Sequence, residues 1–200
     1  RLSIYDKNTG QHKVLTEALD YDAASIVWSP DSRHIYFTIQ KHGNTPLYKV
    51  DIKSGKFKEL ISVERAKYIS GMDITPDGKN IIFARRSIAH PTELFKVDSK
   101  GKKITQLTHI NKEVEDAYDI RPGEEMWIEG AEGQKVHTYV IKPHNFDPAK
   151  KYPLIINVHG GPQMMWADAF RGDWQVYPGS GYIVAFPNPH GSKGYGQAYC

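Results

Sequence analysis

The sequence predicts a mainly β molecule in which blades of a β-propeller are followed by the first strands of an α/β unit. Three observations lead there. Two turn-centred strand pairs, W-S-P-D-S-R-H-I-Y-F-T from Trp28 and I-T-P-D-G-K-N-I-I-F-A from Ile74, repeat with their prolines, Pro30 and Pro76, 46 residues apart. A second unit recurs from Leu2, Leu47 and Leu94, with aspartates Asp6, Asp51 and Asp98 spaced 45 and 47 residues apart. Finally, an apolar run ends in His159-Gly160-Gly161-Pro162 and is followed, about twenty residues on, by a second apolar run and another glycine-rich loop. Periods of roughly 40–45 residues with several short strands each are the mark of propeller blades.

Each element has a local reason. In S-P-D-S and T-P-D-G, proline presets φ at the second turn position and the aspartate bonds its own backbone, so one strand reverses into the next. Asp31 and Asp77 therefore read as turn residues rather than catalytic carboxylates. Ile35/Phe37 and Ile81/Phe83 alternate as half-buried strand residues should. K-N-T-G, K-S-G and S-K-G turn the outer strands, so Gly10–Thr108 is expected to be antiparallel strand rather than helix. Two blades and part of another are too few to close a propeller of about four to eight blades. Both ends of the chain thus read as cut, and the 200 residues read as an internal piece of a larger polypeptide.

From Thr108 to Pro122 the strand periodicity lapses and charge gathers, which gives a division into partial propeller (1–112), linker (113–122) and the start of a second domain (123–200). Met126–Glu129 and Val136–Ile141 read as a hairpin around Gly130–Gly133. Leu154, Ile155, Ile156 and Val158 read as a strand buried on both faces, and Gly181–Pro187 as its neighbour in a βαβ-like arrangement. The glycine pair lets bare backbone N–H groups approach a ligand closely. An H-G-G loop after an early strand supplies an oxyanion donor in α/β-hydrolases. A purely structural strand-ending turn is the competing reading of the same tetrapeptide.

YPLIINVHGGP together with GYIVAFPNPHGSKGYGQAY resembles the opening of the peptidase domain of the prolyl oligopeptidase family of serine peptidases, in its acylaminoacyl-peptidase and dipeptidyl-peptidase branches. The resemblance implies C-terminal propeller blades followed by the first strands of an α/β-hydrolase domain. It also implies hydrolysis of short peptides through an acyl-enzyme, with the nucleophilic serine, aspartate and histidine all downstream of this chain. Gly161, then Gly160, would be oxyanion-hole donors, and His159 and Pro162 would face the substrate cleft. A tyrosine stands at the His159 position in the prolyl oligopeptidase and dipeptidyl-peptidase IV branches. Since histidine does not copy that geometry, the backbone donors are preferred. The alternatives are a non-catalytic propeller binding protein with a degenerate hydrolase domain, or an esterase on the same fold.

Other chemistry finds little support. Nine histidines include no H-x-x-x-H pair and the chain has one cysteine, so no metal site or internal disulfide is expected. Gly191–Gly196 lacks the order of a nucleotide loop, Ser192 does not sit in G-x-S-x-G, and no cofactor is expected. Cys200 reads as an ordinary buried thiol. A net charge of +3, spread over the chain, argues against a nucleic-acid partner. No apolar run approaches the roughly 20 residues of a membrane span. The expected partners are a short peptide and the rest of the polypeptide; homo-oligomerisation and localisation are left open.

Overall fold

The computed structural model describes residues 1–161 and 163–200. β1 (Ser3–Asp6) and β2 (Gln11–Val14) form a hairpin. β3 (Ala23–Trp28), β4 (His34–Ile39), β5 (Leu47–Asp51) and β6 (Phe57–Ile61) follow as a four-stranded antiparallel meander. A single helical turn, α1 (Val63–Ala66), leads to a second meander of β7 (Tyr68–Ile74), β8 (Asn80–Ser87), β9 (His90–Asp98) and β10 (Ile104–Gln106). These meanders are the blades that the period predicts, apart from α1, which interrupts the expected run of strands.

The turns form for the reason the sequence suggests. Asp31 accepts from Ser29 Oγ at 2.6 Å and from the Arg33 N–H at 3.1 Å. Asp77 accepts from Thr75 Oγ1 at 2.6 Å and from the Lys79 N–H at 3.0 Å. Ser32 and Gly78, at equivalent places, both take left-handed φ values of +56° and +70°. Asp6, Asp51 and Asp98 each end a strand and accept backbone N–H groups of the following turn. Their carbonyls receive the N–H of left-handed Gly10, Gly55 and Gly101, each at 2.8 Å.

β4 departs from simple alternation. Ile35, Phe37 and Ile39 pack in one cluster with Leu2 and Leu15, while Tyr36 packs in another with Leu47, Ile81 and Phe83. Both faces of β4 are buried because a blade stacks on a neighbour at each side, whereas β8 keeps the expected alternation, with Ile81 and Phe83 buried between half-buried Asn80, Ile82 and Ala84.

After a short helix, α2 (Lys112–Ala117), comes a mixed sheet of β11 (Glu124–Glu129), β12 (Lys135–Ile141), β13 (Leu154–Ile156) and β14 (Ile183–Asn188) in the order β11-β12-β14-β13. β13 runs parallel to β14, and α3 (Gly172–Gly179) makes the crossover. Trp174 of α3 is fully buried and stacks on Phe186 of β14 with ring centroids 3.6 Å apart. β13 is not buried on both faces. It is an edge strand whose Ile155 packs inward, while Leu154, Ile156 and the following Val158 are more than half exposed because no described element lies over them. Cys200 is exposed rather than buried, and its Sγ lies 3.5 Å from Ser192 O. Among the described residues no helix is long and apolar enough to cross a membrane.

Candidate functional site

The loop leaving β13 is pinned at both ends. Asn157 extends the pairing with β14 through its N–H to the Ala185 carbonyl, 2.9 Å. Trp166 is clamped by Asn188, which accepts its N–H at 2.7 Å and donates to its carbonyl at 3.0 Å, and the Trp166 indole donates to Asn157 O. The Lys193 N–H donates to Met164 O at 2.9 Å, so the two glycine-rich loops are fastened together.

Between these fixed points lie the candidate donors. Gly160 and Gly161 are exposed, and their N–H groups meet no hydrogen-bond acceptor among the described residues. Gly161 has φ +121°, a conformation that side chains rarely tolerate, so the backbone itself requires glycine there. A Cβ at Gly160 would meet nothing within 4 Å, leaving that side open to a ligand. A free donor exposed in this way costs little, because water satisfies it until something displaces the water.

His159 is buried, and its Nε2 lies 2.9 Å from Ser192 Oγ. Ser192 is fully buried and gives its own proton to Pro189 O at 2.6 Å, so the imidazole must donate and the serine accept. Ser192 is therefore a structural bracket rather than a nucleophile, and the His159 ring faces the loop beneath it rather than the exposed surface. Pro162 lies outside the described residues.

Sequence reasoning missed the strap that follows the loop. Asp168 is buried and accepts the Ile88 N–H at 2.7 Å, pairs with Lys67 Nζ at 2.9 Å, and gives its own N–H to Gly43 O at 2.7 Å. One residue of the segment between β13 and α3 thus touches three separate points of the blades. Nearby, the His42 N–H donates to Gly194 O, and His137 Nδ1 lies 2.6 Å from Tyr195 OH. Burial pushes the Tyr195 and Tyr139 phenols well above their ordinary range, so both stay neutral. Nothing in M-M-W-A-D-A-F signals this role, since its partners lie 80 to 125 residues away in sequence. Among the described residues no group of histidine, cysteine or carboxylate side chains gathers as a metal site would.

No family model matches the chain. Similarity along nearly the whole of this chain is nevertheless clear. The chain is 31% identical over 203 aligned residues to dipeptidyl-peptidase 5 of Porphyromonas gingivalis, covering 100% of this chain and 29% of that protein. It is 30% identical to the uncharacterized peptidase YuxL of Bacillus subtilis, covering 98% of this chain and 31% of the relative. Its fold matches acylaminoacyl peptidase of Pyrococcus horikoshii with a TM-score of 0.82 and 26% identity, covering 98% of this chain and 29% of that one. Blades followed by the first strands of an α/β-hydrolase sheet are the architecture of a propeller-bearing peptidase. These relatives and structural neighbours support a peptidase of the prolyl oligopeptidase family. It spans about three tenths of the length of the curated relatives it matches.

Proposed function

We propose that this chain is the blade-to-catalytic-domain segment of a serine peptidase that hydrolyses short peptides, of dipeptidyl- or acylaminoacyl-peptidase type, through an acyl-enzyme. In this reading residues 1–112 are propeller, 113–122 linker and 123–200 the start of the catalytic domain. The triad serine, aspartate and histidine belong to the remainder of the polypeptide, and the partners are a short peptide and that remainder. The observation that carries the proposal is the exposed glycine pair, without an acceptor among the described residues, in a loop fastened at Asn157 and Trp166 after β13.

Gly161 N–H, with Gly160 N–H beside it, donates to the oxyanion that forms when the serine attacks the scissile carbonyl. Water occupies these donors in the resting enzyme, and the substrate replaces it with a charge that a prepositioned N–H stabilises without reorganisation. His159 serves by holding the loop onto Ser192.

In the full-length protein Gly161→Val, compared with the parent on a chromogenic dipeptide substrate, should lower kcat by roughly 10²–10³ with KM changed little. A folded variant with normal kcat would reduce the glycine pair to a turn. Turnover of simple esters with none of peptides would favour the esterase alternative.

A further inference from the structure

A cavity of about 470 Å³ opens on the second meander, beside the strap. Lys67, Arg85, Arg86, His90 and Lys112 line it, against Glu93 and Glu115. Most of these charges already have partners. Lys67 is paired with Asp168, Lys112 with Asp116, and His90 with Glu115. Glu93 accepts from Thr108 Oγ1 and from the backbone and side chain of Asn111.

Two arginines are left over. Neither the Arg85 nor the Arg86 guanidinium donates a side-chain hydrogen bond or lies within 4.0 Å of a carboxylate among the described residues, and Arg86 Nε is buried without an acceptor. Both are held by aromatic faces instead. The Arg85 guanidinium sits 5.1 Å from the Phe95 ring centroid, and that of Arg86 4.6 Å from the Tyr68 centroid. These contacts hold the guanidiniums and leave their N–H forks without an acceptor among the described residues, the state suited to bidentate capture of a planar anion. Burial, partly offset by Asp168, draws the Arg85 pKa below its ordinary value, as expected for a cation short of a counter-charge.

We infer that Arg85 and Arg86 form a carboxylate-binding site that anchors a peptide substrate by its free C-terminal carboxylate or an acidic side chain. The inference rests on the peptidase reading for the identity of the anion. The two glutamates on the cavity wall favour a singly charged carboxylate over a doubly charged phosphate, because each added negative charge meets them too. The cavity also adjoins the catalytic side: Lys67 in its wall holds Asp168, seven residues beyond Gly161.

The test uses the full-length protein and three peptides of one sequence: free acid, C-terminal amide, and amide with a glutamate replacing a neutral residue near its C-terminus. Hydrolysis and direct calorimetric binding are both measured, with parent and with Arg85→Met and Arg86→Met, whose side chains keep the aromatic packing. The parent should favour a carboxylate-bearing peptide over the plain amide by about tenfold or more, the scale of one charge-assisted hydrogen bond. That ratio should fall toward one in each variant; read within each protein, it is insensitive to general loss of activity. The preferred peptide identifies the source of the carboxylate. Equal treatment of all three by the parent, or a ratio unchanged in both variants, overturns the site. A binding preference abolished by the variants, in a protein that hydrolyses none of the peptides, upholds the site while the peptidase reading falls.

Discussion

Glu93 shows how one side chain can write its surroundings into a pH profile. Burial works to raise its pKa, but hydrogen bonds from Thr108, from the backbone N–H groups of Asn111 and Ile110, and from the Asn111 side chain outweigh it and hold the carboxyl at about 2 against an ordinary 4.5. A depressed carboxylate stabilises the fold above its unfolded pKa and loses that contribution as pH falls toward the folded value. Glu93→Gln should therefore cost stability at pH 7 and flatten the loss seen between about pH 4.5 and 2, read as Tm against pH. If parent and variant profiles stay parallel across that window, the Thr108–Asn111 cluster does not tune this group. None of this was legible in sequence, because the donors come from a loop and helix start 15 to 18 residues away.

At the scale of elements the sequence is far more readable, and the reason is chemical. The P-D turns and the aspartate-to-glycine turns act within five residues, so their bonds can be inferred from spacing alone. Gly101 carries the point furthest. It is left-handed at φ +79°, and a Cβ there would lie 2.3 Å from the Leu60 carbonyl oxygen. Gly101→Ala must pay for both, about 1–2 kcal/mol for the backbone and a further 1–3 kcal/mol for overpacking. Chemical denaturation should show a loss of about 2–5 kcal/mol on the same grounds, whereas Gly10→Ala, with open space around its Cβ, should lose only the backbone part. Equal losses at the two positions would remove the steric argument. Apolar runs are less trustworthy guides. L-I-I in β13 reads like a doubly buried strand, yet burial depends on what lies above the sheet, and that is not written in the strand.

For the whole molecule, the tip of the β8–β9 hairpin matters most. Ile88 belongs by sequence to a blade but is buried in the cluster of Tyr139, Ile141, Trp174, Val184 and Phe186, with its N–H on Asp168 and its carbonyl accepting from Gln175. Sequence patterning placed a boundary some 25 residues later, at 113–122, because polarity marks where the chain crosses, not where the contacts do. Ile88→Ala should cost about 2–4 kcal/mol, the range for removing a buried isoleucine side chain. Hydrogen exchange in the intact protein should show the loss at β14 amides as well as at β8. Destabilisation confined to β8 and β9 would mean the two sheets open independently.

The anchoring of Asp168 at Gly43, Lys67 and Ile88 has a consequence for how such a protein is assembled. The strap gains its partners only after both meanders exist, so the glycine loop that precedes it acquires its final shape last. A chain emerging in order presents Gly43, Lys67 and Ile88 before Asp168, so the strap meets anchors already in place, and the glycine pair is set by blades that were made ahead of it.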